Sequence, residues 1–377
     1  MDYFILNHTW FLLNYVFGFL GVYPCKKDGA TGLKLTSACR FWIQAICIYL
    51  LAQFLMVLSL FNISYIESSF MEVAESFQKR FLKSKTTKYV SFASNILIHL
   101  LYFIGIFKVR ELGKELVCIQ DYFKIKGCAD QTELKKVARR VILNFIPYMM
   151  MVITSFILEY VSLFYQIGSD VELSTFGIVC CIACVTMEVI IRLVPTWYFV
   201  CVYFEVAIVL LNWCKYMISK PDKLKIIQDT KNFIGFLKVI KQAFSPALFW
   251  IVSLYVLTSI LTSYVSISLL MEGEIISWEQ QCMVISFLLT TFGLIYLVFR
   301  FCSTSEDLAN NVQELKEWIM ENLSGNAAEI DTITSQLQNF QGFDGNGFFT
   351  LNHSMVTAMT ANIVTYLVIL VQFKQSE

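Results

Sequence analysis

Glu188 and Arg192 stand four residues apart inside an apolar run from Ser174 to Trp213, with the acid N-terminal to the base. That order and spacing lets the two side chains pair on one helix face. Such a pair at membrane depth either floors a ligand pocket, or switches, or neutralises itself and anchors a bundle. Glu159 and His99 are further ionisable residues in apolar runs. Each either points into a cavity or bonds to a neighbouring helix. Aromatics and hydroxyls gather in the same runs, among them Tyr160, Tyr255, Thr258, Thr262, Phe287 and Thr291. An apolar cleft with a few polar groups is how small organic molecules are held, although aromatics also face lipid in ordinary membrane helices. These ten residues are the ligand-pocket candidates.

Nothing comparable points to bond-making chemistry. The chain has no GxxxxGK[ST], GxGxxG, HExxH or GxSxG, and its three histidines build no catalytic set. Cys180, Cys181 and Cys184 form a CCxxC cluster, but within an apolar run and without partners for a metal. The expectation is no enzyme, no catalytic residue, no metal and no cofactor.

The last apolar stretch is of another kind. From Leu351 to Phe373 it runs 23 residues without a charge, enough to cross ~30 Å of hydrocarbon as one helix. On a helical wheel Ser354, Ala361, Thr365, Val368 and Gln372 fall close to one line. Lipid gives no reason for a polar stripe, because a buried polar group is costly unless paired. A wall facing water, or a polar neighbouring helix, does. Gly345 and Gly347 precede the stretch and are expected to act as a hinge, since glycine reaches backbone angles closed to other residues.

Composition fixes the class that positions these residues. The chain is 57% hydrophobic and only 15% charged over 377 residues, with a mean hydropathy of +0.61. A soluble domain carries about 25% charged residues. The reading is a polytopic all-α membrane protein. Its net charge of zero argues against a nucleic-acid partner. Spanning helices are expected over Phe41–Asn62, Tyr89–Phe107, Val141–Gln166, Ser174–Trp213, Leu248–Leu270, Gln281–Cys302 and Leu351–Phe373. Trp10–Val22 is too short to span and reads as an interfacial helix without a signal peptide.

Charge sets the orientation. Residues 108–140 hold nine basic residues and 214–247 hold seven, whereas 167–173 and 271–280 hold none. By the positive-inside rule the first two segments are cytoplasmic. The N-terminus is then inside and the C-terminus outside, after seven crossings. The first outer loop is discordant, with five basic residues between Lys79 and Lys88. It also offers Asn62-Ile63-Ser64 as a glycosylation candidate at Asn62.

Beyond the sixth span, Leu308, Val312, Leu315, Ile319 and Leu323 recur at helical spacing, and Ile330, Ile333, Leu337 and Phe340 follow after Ser324-Gly325-Asn326. Such seams bury against a partner, either another subunit or the rest of the same cytoplasmic layer. The organisation is thus a cytoplasmic N-terminal segment (1–40), a six-span bundle with cytoplasmic extensions at 108–140 and 214–247 (41–302), cytoplasmic helices (303–344), and a seventh span with a short extracellular tail (345–377).

The final span ends Thr365-Tyr366, five apolar residues, Gln372-Phe373, and opens Gly347-Phe348-Phe349-x-Leu351. This resembles the TYhhhhhQF signature and its lead-in in insect gustatory receptors, relatives of the insect odorant receptors. The seven-span architecture with an inside N-terminus is similar over nearly the whole chain. The resemblance implies a tastant-gated, non-selective cation channel in the plasma membrane of chemosensory neurons. It implies four subunits, as homo- or hetero-tetramer, with ligand bound in the six-span bundle, the seventh spans around a pore and the cytoplasmic helices at 303–344 as the anchor. Small-molecule tastant, lipid, sister subunits and permeating cations are the partners it implies. On that reading Val368 or Ile369 is a hydrophobic gate, Gln372 lines the outer mouth, and Thr365 and Ser354 wet the lower wall. Lys374, directly after the motif, departs from what a cation mouth favours. A G-protein-coupled receptor and a secondary transporter are the alternatives; the inverted topology weighs against the first, and the lack of an internal repeat against the second.

Overall fold

The computed structural model describes residues 25–28, 32–35, scattered positions within 42–50 and 103–110, and residues 131–170, 199–219, 226–272, 278–323 and 327–375. The interfacial helix at 10–22, Asn62, His99, Glu188 and Arg192 lie outside them.

Among the described residues, one pair of short strands lies near the start. Strands β1 (Cys25–Asp28) and β2 (Gly32–Leu35) pair antiparallel, Cys25 opposite Leu35 and Asp28 opposite Gly32. The sequence reading expected no strand there. Everything else described is dominated by helix: α1 (Gln131–Asp170), α2 (Phe199–Ser219), α3 (Ile226–Glu272), α4 (Trp278–Asn322), α5 (Ala327–Gln338) and α6 (His353–Gln375). Among the described residues, Phe199–Ser219, Ile226–Met271, Gln280–Asn322 and His353–Phe373 are long and apolar enough to cross a membrane.

Two helices continue past the expected ends of their apolar spans. The cytoplasmic extension at 214–247 and the fifth span are largely one 47-residue helix, α3. The sixth span and the first anchor seam are one 45-residue helix, α4. At 1.5 Å per residue each is roughly 70 Å long, more than twice the hydrocarbon thickness. A helix has no reason to stop where lipid gives way to water. Its backbone bonds are internal and its ladder continues wherever one face stays packed.

Contacts fix the relative directions. Ser155 meets Ser286 and Asn144 meets Arg300, so α1 and α4 are antiparallel. Tyr203 meets Phe301 and Cys214 meets Asn311, so α2 runs parallel to α4. Thr262 meets Thr291 at one level of α3 and α4, and Phe244 and Phe301 both close on Phe199 at another, so these two are antiparallel. Among the residues nearer the N-terminus, Trp42 lies 6.5 Å from Phe107 and Tyr49 4.9 Å from Phe103, ring centre to ring centre. That pairing runs the described residues within 42–50 and 103–110 past each other in opposite directions.

The buried core is concentrated at one end of the bundle, called the inner end after the charge-based orientation. Phe199, Phe204, Phe244 and Phe301 are fully buried there, with Tyr203 1% exposed. Tyr203 donates its hydroxyl to the Phe301 carbonyl at 3.1 Å. The anchor seam is also internal: Leu308, Val312, Leu315 and Ile319 are at most 1% exposed, and Ile333 and Leu337 2%. These residues are spent on packing α4 and α5 within the chain. Any contact with another subunit must use other faces of the same helices.

Candidate functional site

The link between the anchor and α6 is a tight elbow, residues 342–352. Phe343 is buried under Tyr203, Phe244 and Phe340, with ring centres 5.3, 6.1 and 6.1 Å away. Its backbone N–H donates to the Ser305 hydroxyl at 2.8 Å. The chain then turns back on itself. Leu351 N–H reaches the Phe343 carbonyl and Gly345 N–H the Phe349 carbonyl, both at 2.8 Å. Two glycines allow this. A Cβ on Gly345 would stand 2.3 Å from the Phe349 ring, and Gly347 has φ +80°, a region that favours glycine. The two expected hinge residues therefore sit in a closed, hydrogen-bonded turn.

Ion pairs fasten the elbow on both sides. Asp344 accepts from Lys241 of α3 at 2.7 Å, the carboxylate being 17% exposed. Burial would push the Asp344 carboxyl up, but the bonds from Lys241 and the Gly347 N–H, with the lysine charge, hold it below its usual range. Glu306 of α4 takes the His353 ring Nδ1 and also accepts the His353 backbone N–H at 3.0 Å. Asn352 caps the helix by accepting the Met355 N–H at 3.0 Å. These bonds satisfy N–H groups that a helix start leaves open.

From that fixed foot α6 runs with little cover. Among its described residues only Met359 and Ile363 are buried. With Leu367 and Leu370 they form one stripe packed on the core. The opposite face is bare: Ser354, Ala361, Thr365, Val368, Ile369 and Gln372 are all exposed. Two motif aromatics have exposed side chains as well, Tyr366 at 55% and Phe373 at 60%. Thr365 bonds back to the Ala361 carbonyl at 2.9 Å and Ser354 to Asn352 at 2.7 Å. Asn362 and Gln372 have no hydrogen-bond partner among the described residues. They, more than Thr365, call for water or a neighbouring chain.

A second polar region lies further along the bundle, away from the foot. Ser155 of α1 meets the Ser286 hydroxyl at 2.8 Å and the Thr290 hydroxyl at 2.7 Å. Ser286 donates to Glu159 at 2.9 Å. On the adjoining face of α4, Thr291 meets Thr262 at 2.8 Å and Ser263 at 3.3 Å. Thr258 Oγ1, Ser259 Oγ and the Tyr264 Oη nearby on α3 are buried without a partner among the described residues. Of the candidates, the structure joins Thr262 with Thr291. It sets Glu159 on α1, half-buried, and Tyr255 and Thr258 on α3, while Phe287 packs by Leu269 and Val284. The Tyr160 side chain lies outside the described residues. Ser155, Ser286, Thr290 and Ser263 were missed. The signal was present, because Ser155/Glu159 and Ser286/Thr290 are each spaced by four, one face of a helix.

The described helices are those of an α-helical membrane protein, and comparisons with known proteins find the same fold. Residues 236–377 match the family model described as 7tm chemosensory receptor. The whole chain is similar in structure to the insect olfactory receptor OR5 from Machilis hrabei in complex with eugenol, at TM-score 0.67 and 12% identity, over 99% of this chain and 100% of that one. A second structure of the insect olfactory receptor OR5 from Machilis hrabei is similar at TM-score 0.66 and 13% identity, over 99% of this chain and 100% of that one. No curated protein matches the sequence. The likeness to insect chemoreceptors, read from the final motif, is thus carried also by a family model over the C-terminal part and by the fold of the whole chain.

Proposed function

We propose that the protein is a gustatory-type chemoreceptor, a ligand-gated non-selective cation channel of four subunits at the plasma membrane. The observation that carries this reading is the bare face of α6. An apolar helix that packs only one narrow stripe on its own chain leaves its other face for something else. That face carries the polar stripe, with Gln372 and Asn362 unpartnered, as a water-filled path between subunits requires. Seen from the pore, Val368 or Ile369 forms the dewetting constriction, Gln372 the outer mouth, and Ser354 and Thr365 the lower wall.

The ligand cleft is drawn in the outer half of the bundle, around the hydroxyl cluster of α1, α3 and α4. Unpartnered hydroxyls among apolar walls suit a small organic molecule with hydrogen-bonding groups. The fold shared with a receptor solved in complex with eugenol supports a ligand of that size. Binding favours the open arrangement of α6 through its higher affinity for that arrangement.

The test is current recording from cells expressing the full chain, with a panel of tastants. Gln372→Ala is expected to change the permeability ratio among monovalent cations while ligand-evoked current persists. Unchanged ratios and conductance remove Gln372 from the pore. Saturable uptake without unitary current would instead make the protein a transporter.

A further inference from the structure

The foot of α6 is held by a residue from another helix. Glu306 accepts both the backbone N–H and the ring nitrogen of His353, the first residue of α6. A carboxylate at this position also meets the positive end of the helix dipole. The His353 ring stacks edge-on against Phe299, 5.5 Å away, which fixes its plane. We propose that Glu306 is a positioning residue for the foot of α6, and that the protonation of His353 sets how firmly it holds.

The chemistry follows from the neighbours. α4 brings Glu306 and the Cys302 thiol to this contact, while Arg300 on the same helix is engaged with Asn144 of α1. The elbow brings Asp344, which is paired with Lys241 of α3. Carboxylates and amines keep their charge between pH 6.0 and 7.5, whereas an imidazole ordinarily changes its charge there. A neutral ring gives the Glu306 carboxylate a hydrogen bond in which only the acceptor is charged. A protonated ring turns the same contact into an ion pair, with both partners charged. The Lys241–Asp344 strap stays constant across that interval, so a pH-dependent hold on the foot belongs to the Glu306–His353 side. Acidification at the inner end then makes the foot harder to move. The functional meaning rests on α6 being the moving wall of a pore; the hold itself does not.

Hydrogen exchange on the purified full-length chain at pH 7.5 and pH 6.0, corrected for the intrinsic pH dependence of exchange, tests this without any current. Peptides covering residues 344–356 are expected to gain up to about fivefold protection at pH 6.0, the scale of an exposed ion pair. Glu306→Gln and His353→Gln both abolish the gain, while protection within α1 stays the same. A wild-type chain with no gain, or a gain that survives in either variant, overturns the proposal. If Glu306→Gln loses protection throughout the chain, the exposed His353→Gln variant decides. Absence of ligand-evoked current in wild-type cells would defeat the pore reading and leave this result standing.

Discussion

The inner core and α6 have similar raw material and opposite fates. Around Phe301 the aromatic rings of α2, α3, α4 and the elbow interlock, and Phe199, Phe244 and Phe343 are wholly buried. α6 is as apolar as a spanning helix needs, yet Val364, Tyr366, Val368 and Phe373 are each at least half exposed. Apolarity alone therefore does not say what a residue packs on. The core holds the chain's own helices together. The bare face of α6 is a surface awaiting lipid, water or other subunits.

Breaking the core should have the largest effect. Phe301→Ala removes a ring enclosed by Phe199, Tyr203 and Phe204. It is expected to cost about 3–5 kcal/mol, read as loss of folded protein in detergent thermal melts. On α6 the packed and bare faces should part company. Ile363→Ala is expected to lower stability by about 2–4 kcal/mol, whereas Val368→Ala should change it by less than about 0.5 kcal/mol. If Val368 or Ile369 gates, Val368→Ala or Ile369→Ala produces current without ligand. Silence in both variants removes these residues from the gate.

The elbow gives smaller effects. Gly347→Ala, at φ +80°, is expected to cost about 1 kcal/mol. Asp344→Asn loses the half-buried tie to Lys241 and should cost on the order of 1 kcal/mol. Because the folded Asp344 carboxyl titrates below its usual value, its contribution is present above the unfolded pKa near 4 and is lost as pH falls through the lower folded value. Melts between pH 6 and 8 should therefore show a constant difference between wild type and Asp344→Asn, narrowing only in strong acid.

Sequence patterns reached some of this and missed the rest for physical reasons. The anchor seam was legible because Leu308, Val312, Leu315 and Ile319 repeat with the helix period. Its partner was not, since period tells which face is buried and not whose surface covers it. The polar face of α6 was legible for the same reason, and it is bare as a stripe without an intrachain partner must be. The Ser155–Ser286–Thr290 cluster was illegible as a unit, because its members are up to 135 residues apart in sequence and only the packing of α1 on α4 sets their register. The Lys241–Asp344 and Glu306–His353 ties fall in the same class. The continuity of α3 and α4 was hidden by the change from apolar to charged composition, which marks the edge of lipid and leaves the backbone ladder intact.

On the proposed function, the bare face of α6 meets water. Single cysteines at Ala361, Thr365 and Ile363 test it directly, when membranes from intact expressing cells are treated with a small charged thiol reagent and labelling is read by mass spectrometry against the wild-type cysteines. Labelling is expected at Ala361→Cys and Thr365→Cys, and protection at Ile363→Cys. Protection at Ala361→Cys and Thr365→Cys in the membrane, with labelling of both once the protein is unfolded, would put that face in lipid and rule out a water-facing wall.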